Sequence, residues 1–471
     1  MQAVRASAAA YYSEAVGAIM SVVFHGTPST ELAYSQTDTL CASNCESRQT
    51  WCLPDMQGGP KEPSPVNSVP RSFLTLLVEW LTLCCTLMTL FLRWFWRCGT
   101  RMKEPPPLPH LNFRSSSLLK YVLKTCHALR EPFVPLKWIR FGHLHTILAC
   151  ILCDSTVCYR REILQMADGG IVALDWADTR RLNEKCKPRT TVKGIVIVLP
   201  NITASWGGVA RLCLDICRHG YEPVVFQPRG TSGLPLTAPK IQSLGDTSDL
   251  REVVRYLKSK YTSRKRICAV GLGYGGSLLL SYLGNYGSSS KLSAAVCVSP
   301  VYDLQSAIHE TPGPSILNWI VLQLLKWSFT RHVNAMPQKF DLDSAFSCRT
   351  LSEWLQTVHC PMYKLKDLDE YWEHNEPLRE ADEIAVPLLC INSLDDPFTR
   401  KGNIPFDLFS TIPNLLLVTT EKGGHCGFFG NSFYPNSWAH NVSLDFISAV
   451  LQFTDNLTKE RNISGRIRVD S

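Results

Sequence analysis

Hydrophobic and polar positions fall into distinct patterns along this chain. Residues 194–199 are continuously apolar after one glycine, as a strand buried on both faces must be. Similar runs recur at 223–227, 266–270, 294–299, 386–392 and 414–419. Between them, 206–219 and 246–260 read as helices, and 171–176 reads as an early edge strand. Strands alternating with helices predict an α/β fold with a mainly parallel central sheet flanked by helices. Residues 301–383 interrupt the alternation. Within them 316–325 is strongly apolar and helix-compatible, and no strand pattern appears. This segment is expected to be a helical lid inserted before the strand at 386–392.

The amino-terminal part is patterned differently. Residues 1–70 carry no sustained periodicity, and Pro60, Pro63, Pro65 and Pro70 break their last stretch, which predicts a disordered extension. Residues 73–92 form an apolar run of spanning length with Glu79 as its only charge, flanked by Trp94, Phe95 and Trp96. They are expected to form a single transmembrane helix. A basic and proline-rich linker follows at 93–110, with Arg93, Arg97, Arg101 and Lys103 ahead of Pro105-Pro106-Pro107-Leu108-Pro109. The folded domain is expected over 111–455 and a carboxyl-terminal tail over 456–471. The basic carboxyl flank leans toward a cytosolic domain by the positive-inside rule. The sequons at Asn201, Asn441, Asn456 and Asn462 point instead to a luminal or secretory-pathway location.

Composition narrows the picture further. The formal charge of +7 is too mild and dispersed to predict nucleic-acid binding. The 19 cysteines are spread along the chain, and Cys268, Cys297 and Cys390 fall in core strands, which suits buried reduced thiols. Cys150, Cys153 and Cys158, near His143 and His145, lie in an apolar stretch, and no metal site and no cofactor are expected.

The chemistry concentrates at 266–277. A strand-like run enters Gly271-Leu272-Gly273-Tyr274-Gly275 and a helix-like run leaves it. That is the frame of the G-x-S-x-G nucleophile elbow, with Gly273 in place of the serine. Asp395 and Asp396 follow the strand at 386–392, where a carboxylate can orient a histidine, and Asp396 is favoured by its spacing from Phe398. His425 lies in a Gly423-Gly424-His425-Cys426-Gly427 turn after the strand at 414–419. Tyr274 and Asn201 are the candidates for an oxyanion hole. Ser277 should face the sheet, and Ser299 is the candidate for a displaced nucleophile. Gly271, Gly273 and Gly276 also spell G-x-G-x-x-G, an alternative nucleotide-binding reading that lacks the acidic residue ending the next strand.

Six stretches together resemble the AB hydrolase 4 branch of the α/β-hydrolase superfamily. They begin at Gly142 (GHLHT), Ala167 (ADGGIVALDW), Pro228 (PRGTSG), Gly245 (GDTSDL), Asp395 (DDPF) and Gly423 (GGHCGF). The resemblance implies an α/β-hydrolase fold, with catalytic members that hydrolyse esters of acyl lipids and with Asp396 and His425 as the triad acid and base. Residues 279–290 and His425-Cys426-Gly427 look like a member that also lacks the elbow serine and is associated with control of lipolysis. The expected protein is therefore a membrane-anchored, catalytically impaired regulator of lipid metabolism, acting through a protein partner or an acyl-lipid ligand. The alternative is an active carboxylic ester hydrolase or acylglycerol lipase. Gly273→Ser is expected to confer some esterase activity, with Leu272 and Gly275 leaving room for the hydroxyl.

Overall fold

The computed structural model describes residues 107–136, 141–151, 157–177, 192–202, 206–261, 266–309, 316–430 and 437–469. The extension expected at 1–70, the membrane segment expected at 73–92 and most of the linker expected at 93–110 lie outside the described residues. Among the described residues no helix is long and apolar enough to cross a membrane.

Nine strands form one sheet in the order β1-β9-β8-β7-β6-β4-β5-β3-β2. They are β1 His110–Asn112, β2 Tyr159–Gln165, β3 Ile171–Ala177, β4 Gly194–Leu199, β5 Glu222–Gln227, β6 Arg266–Leu272, β7 Ala294–Val298, β8 Leu388–Ser393 and β9 Leu415–Thr420. The run from β5 through β4, β6, β7 and β8 to β9 is parallel. Antiparallel β3 and β2 extend one edge and antiparallel β1 the other. β3 is thus not the edge strand its sequence predicts. β2 covers it, and the polar Arg160, Arg161 and Glu162 of β2 conceal that strand from a search for apolar runs.

Side-chain alternation along the parallel strands builds two apolar layers. Val196 and Val198 of β4, Cys268 and Val270 of β6, and Val296 and Val298 of β7 face one layer. It is closed by helices α1 (Ser117–Thr125), α3 (Trp206–Arg218) and α13 (Trp438–Val469). Ile195 and Ile197, Ile267 and Ala269, and Ala295 and Cys297 face the other, which is closed by α4 (Ser248–Lys260) and α5 (Tyr274–Tyr286). Cys268, Cys297 and Cys390 are buried free thiols in these layers. Helix α13 runs through Val469, where a tail was expected from 456. Its fully buried residues end at Leu451, Phe453 still packs on the core, and residues 454–461 are exposed.

The described residues within 304–375 are mainly helical, as their pattern predicts. They comprise α6 (Leu304–His309), α7 (Ile316–Thr330), α8 (Leu342–Ser347), α9 (Leu351–Trp354), a π-helical turn (Leu355–His359), α10 (Cys360–Tyr363) and α11 (Leu368–Asn375). Asp341, Thr350 and Asp367 start three of these helices as N-caps, each accepting a backbone N–H three residues on. The buried Lys326 donates to the Phe346 and Cys348 carbonyls at 2.7 and 2.5 Å, a cation at the carboxyl end of α8. Val321, Leu322, Phe329, Trp354 and Tyr371 form a third apolar cluster that also takes in Tyr274, the first residue after the elbow.

Candidate active site

The elbow is built by close approach. β6 ends at Leu272, Gly273 turns with φ +53° and ψ −120°, and α5 begins at Tyr274. Gly275 lies so near the end of β4 that a Cβ there would meet the Leu199 carbonyl oxygen at 2.3 Å. A Cβ on Gly271 would meet the Gly275 oxygen at 2.5 Å. Packing between strand ends and the first helical turn therefore accounts for this glycine spacing without a nucleotide. The Gly273 N–H donates to the Val298 carbonyl at 2.9 Å and the Tyr274 N–H to Asn201, so neither is open to a phosphate.

The structure brings Gly273, Asp396 and His425 together. His425 Nδ1 lies 3.0 and 3.2 Å from the two Asp396 carboxylate oxygens, and both residues are buried. Asp396 Oδ1 also accepts the Phe398 and Thr399 N–H groups at 2.8 and 3.2 Å, which fixes the carboxylate. The Phe398 ring packs edge-on to the imidazole, with centroids 4.8 Å apart. Asp395 turns the other way, taking the Gly424 N–H at 3.0 Å and the Ser393 hydroxyl, so it holds the loop rather than the histidine. Burial alone lowers the His425 pKa, but the Asp396 carboxylate beside it more than reverses this and raises it well above the ordinary histidine range.

Nε2 of His425 points at the seat of the missing side chain. It is buried and has no hydrogen-bond partner among the described residues. A Cβ built on Gly273 would stand 2.6 Å from Nε2 and 2.7 Å from Asn201 Cγ. The room that small neighbours were expected to leave is therefore occupied by these two side chains, which arrive from loops remote in sequence.

Asn201 also governs the oxyanion donors. Its Oδ1 accepts the Tyr274 N–H at 3.3 Å and the Ile202 N–H at 2.8 Å. One donor follows the elbow residue and the other lies in the loop after β4, the two sources from which α/β-hydrolases draw an oxyanion hole. A side-chain carbonyl thus occupies the position a developing oxyanion would need. Of the two oxyanion candidates, Tyr274 contributes its N–H, whereas Asn201 acts as an acceptor.

The structure does not bring Ser299 to the base. Ser299 sits at the end of β7 with φ +50°, fully buried, and its Oγ accepts the Cys426 N–H at 3.0 Å. It braces the histidine loop. Ser277 exchanges hydrogen bonds with both backbone groups of Val301 at 2.8 and 2.9 Å, away from Nε2. His145 is buried and stacked on Phe429, Cys158 is exposed, and Cys153 lies outside the described residues.

Residues that sequence reasoning left without a role complete the site. Thr146 of helix α2 (Gly142–Ile151) accepts the His425 N–H at 2.9 Å. A Cβ on Gly424 would meet the Gly142 oxygen at 2.2 Å, so the GHLHT stretch is the bed on which the histidine turn lies. Arg229 binds both Asp249 oxygens at 2.5 and 2.7 Å and Asp168 at 2.5 Å. This network joins three of the stretches that carry the family resemblance.

A family model described as X-Pro dipeptidyl-peptidase (S15 family) matches residues 171–427, from β3 through the histidine loop. Protein ABHD15 of Homo sapiens is 36% identical over 333 residues, covering 68% of this chain and 69% of that protein. Phospholipase ABHD3 of Homo sapiens is 28% identical over 354 residues, covering 73% and 85%. Monoacylglycerol lipase ABHD2 of Homo sapiens is 26% identical over 388 residues, covering 76% and 89%. Among solved structures, a Pyrococcus furiosus esterase aligns with a TM-score of 0.39 at 16% identity, over 63% of this chain and 92% of that one. That last likeness is too distant to bear on function.

Proposed function

The chain belongs to the α/β-hydrolase-domain family of ABHD15, ABHD3 and ABHD2, and we propose that it is a catalytically impaired member that binds acyl lipid and regulates lipid metabolism. The observation that carries this reading is Gly273 at the elbow, beside a paired Asp396 and His425 that have no hydroxyl to activate. Removing the nucleophile of an intact triad costs on the order of 10⁶ in turnover, about 8 kcal/mol of barrier. Asn201 on the Tyr274 and Ile202 N–H groups opposes oxyanion stabilisation as well.

The ligand class follows the relatives, two of which bear the names phospholipase and monoacylglycerol lipase. The matching family model is described by a peptidase, but it spans less of the chain than these relatives do. In this reading α6 to α11 serve as the lid, supported by their shared apolar cluster with Tyr274. Residues 73–92 tether the protein to a membrane with the hydrolase domain on the cytosolic side, and a protein partner transmits its effect on lipolysis.

A working esterase using Ser299 is the competing reading. Ser299 Oγ is engaged by Cys426 while Nε2 of His425 stays unpartnered, which disfavours it. Labelling of the purified full-length protein with a fluorophosphonate probe separates the two. No serine adduct is expected, and stoichiometric labelling of Ser299 would establish the competing reading instead.

A further inference from the structure

Cys426 lies beside the site whose serine is missing. Its N–H is fixed by Ser299 Oγ at 3.0 Å. Its Sγ stands 3.6 Å from the Val298 carbonyl oxygen, the same atom that takes the Gly273 N–H at 2.9 Å. The thiol and the elbow thus share one acceptor. Most of the described cysteines are buried, whereas Cys426 is only partly so. A second observation points to chemistry here. His425 is 3% exposed and presents Nε2 to the elbow with no partner. The two side chains stand on adjacent residues of one turn, whose backbone N–H groups are pinned by Thr146 and Ser299.

We propose that Cys426 is an acyl acceptor, taking an acyl group from an activated acyl donor with the neutral form of His425 as the base. The proposal rests on the reading of this pocket as an acyl-lipid site. The Cys426 proton passes to His425 Nε2 as Sγ attacks the acyl carbonyl carbon. An S–C bond forms and the bond from that carbon to the leaving sulfur or oxygen breaks. His425 then returns the proton to the leaving group. The products are an acyl-thioester on Cys426 and a free thiol or alcohol, with no redox change. A thiol is an intrinsically stronger nucleophile than water, so acylation of Cys426 outpaces attack by water on the resulting thioester. With Asn201 on the oxyanion donors, hydrolysis of the thioester is slow and the acyl group is retained. Such retention suits a regulator that reports acyl supply.

The test uses the purified full-length protein with two donors, palmitoyl-coenzyme A and 1-palmitoylglycerol. Peptide mass spectrometry should find up to one hydroxylamine-labile palmitoyl group per chain, on Cys426. The donor that labels identifies a thioester or an ester as the source. His425→Gln, which keeps the thiol, should slow labelling at least 100-fold, within the range for loss of a general base (about 10²–10⁴). Cys158→Ser at the exposed cysteine should leave it unchanged. Labelling spread over several cysteines, or a Cys426 rate indifferent to His425→Gln in a variant still folded at the assay temperature and pH, would overturn the proposal. Palmitoyl-lipid binding with no covalent product overturns Cys426 as acceptor but leaves the impaired-hydrolase reading standing. Continuous palmitate release that persists in Cys426→Ala overturns both.

Discussion

Gly273→Ser tests whether the seat of the nucleophile is an open pocket or is filled. A serine there must adopt φ +53° and ψ −120°, outside the regions L-residues favour. Such a conformation costs about 1–3 kcal/mol. The new Cβ also meets Nε2 of His425 at 2.6 Å and Asn201 Cγ and Nδ2 at 2.7 and 2.8 Å. Asn201 is held through its Oδ1 by the Tyr274 and Ile202 N–H groups. His425 is held by Asp396 and Thr146 and yields less readily. Overpacking of this kind adds about 1–3 kcal/mol, for a total of roughly 2–6 kcal/mol. For a domain this large, at roughly 1–2 °C per kcal/mol, calorimetry should find the variant melting about 2–12 °C below wild type. Phosphonate labelling of the single variant should be slow, because Asn201 still engages both oxyanion donors. Asn201→Gly in the same chain removes two of the three close contacts and frees the Tyr274 and Ile202 N–H groups. The double-mutant cycle should therefore show a favourable coupling of about 1 kcal/mol or more, with labelling at least tenfold faster than in Gly273→Ser alone. A Gly273→Ser protein that melts with wild type, or a cycle with no coupling, would refute the filled-seat argument.

Other outcomes follow from the same geometry. Because Asp396 raises the His425 pKa in the folded state, the pair's stabilisation is fully present below the unfolded histidine value near ~6.5 and is lost as pH rises through the higher folded value. The melting difference between wild type and His425→Gln should accordingly be largest in mild acid and shrink toward alkaline pH; a difference that grows with pH contradicts this. Arg229→Met strands the buried Asp249 carboxylate and should cost about 3–5 kcal/mol in denaturant unfolding; a loss below about 1 kcal/mol would mean the network is dispensable. Deleting residues 1–104 should move the protein from carbonate-resistant pellets to the soluble fraction, and a truncated chain that still pellets is not tethered by residues 73–92.

What the sequence discloses depends on how local the cause is. β4, β6, β7, β8 and β9 are legible because burial on both faces forces an unbroken apolar run. β2 escapes because it is the last strand of the sheet among the described residues and its residues are mostly polar. The elbow is legible because Gly271 and Gly275 are dictated by contacts within one turn and the neighbouring strand end, and Gly273 by the positive φ of the turn itself. Asp396 and His425 are legible from their place after β8 and β9. The parts that decide reactivity come from farther away. Asn201 reaches Tyr274 across 73 residues, Ser299 holds Cys426 across 127, and Thr146 holds His425 across 279. No periodicity records such meetings. The GHLHT stretch was visible only as a resemblance, and its work as the bed of the histidine loop emerges only from the fold.

Steady-state ester turnover in wild type and His425→Gln tests the central claim most directly. If no serine is available for His425 to activate, then after at most one equivalent of acyl transfer both proteins should hydrolyse a nitrophenyl ester at the same near-background rate, within about twofold. General-base catalysis by a working triad is worth about 10²–10⁴ in rate. A wild-type turnover that falls a hundredfold or more in His425→Gln would contradict the impaired-hydrolase account.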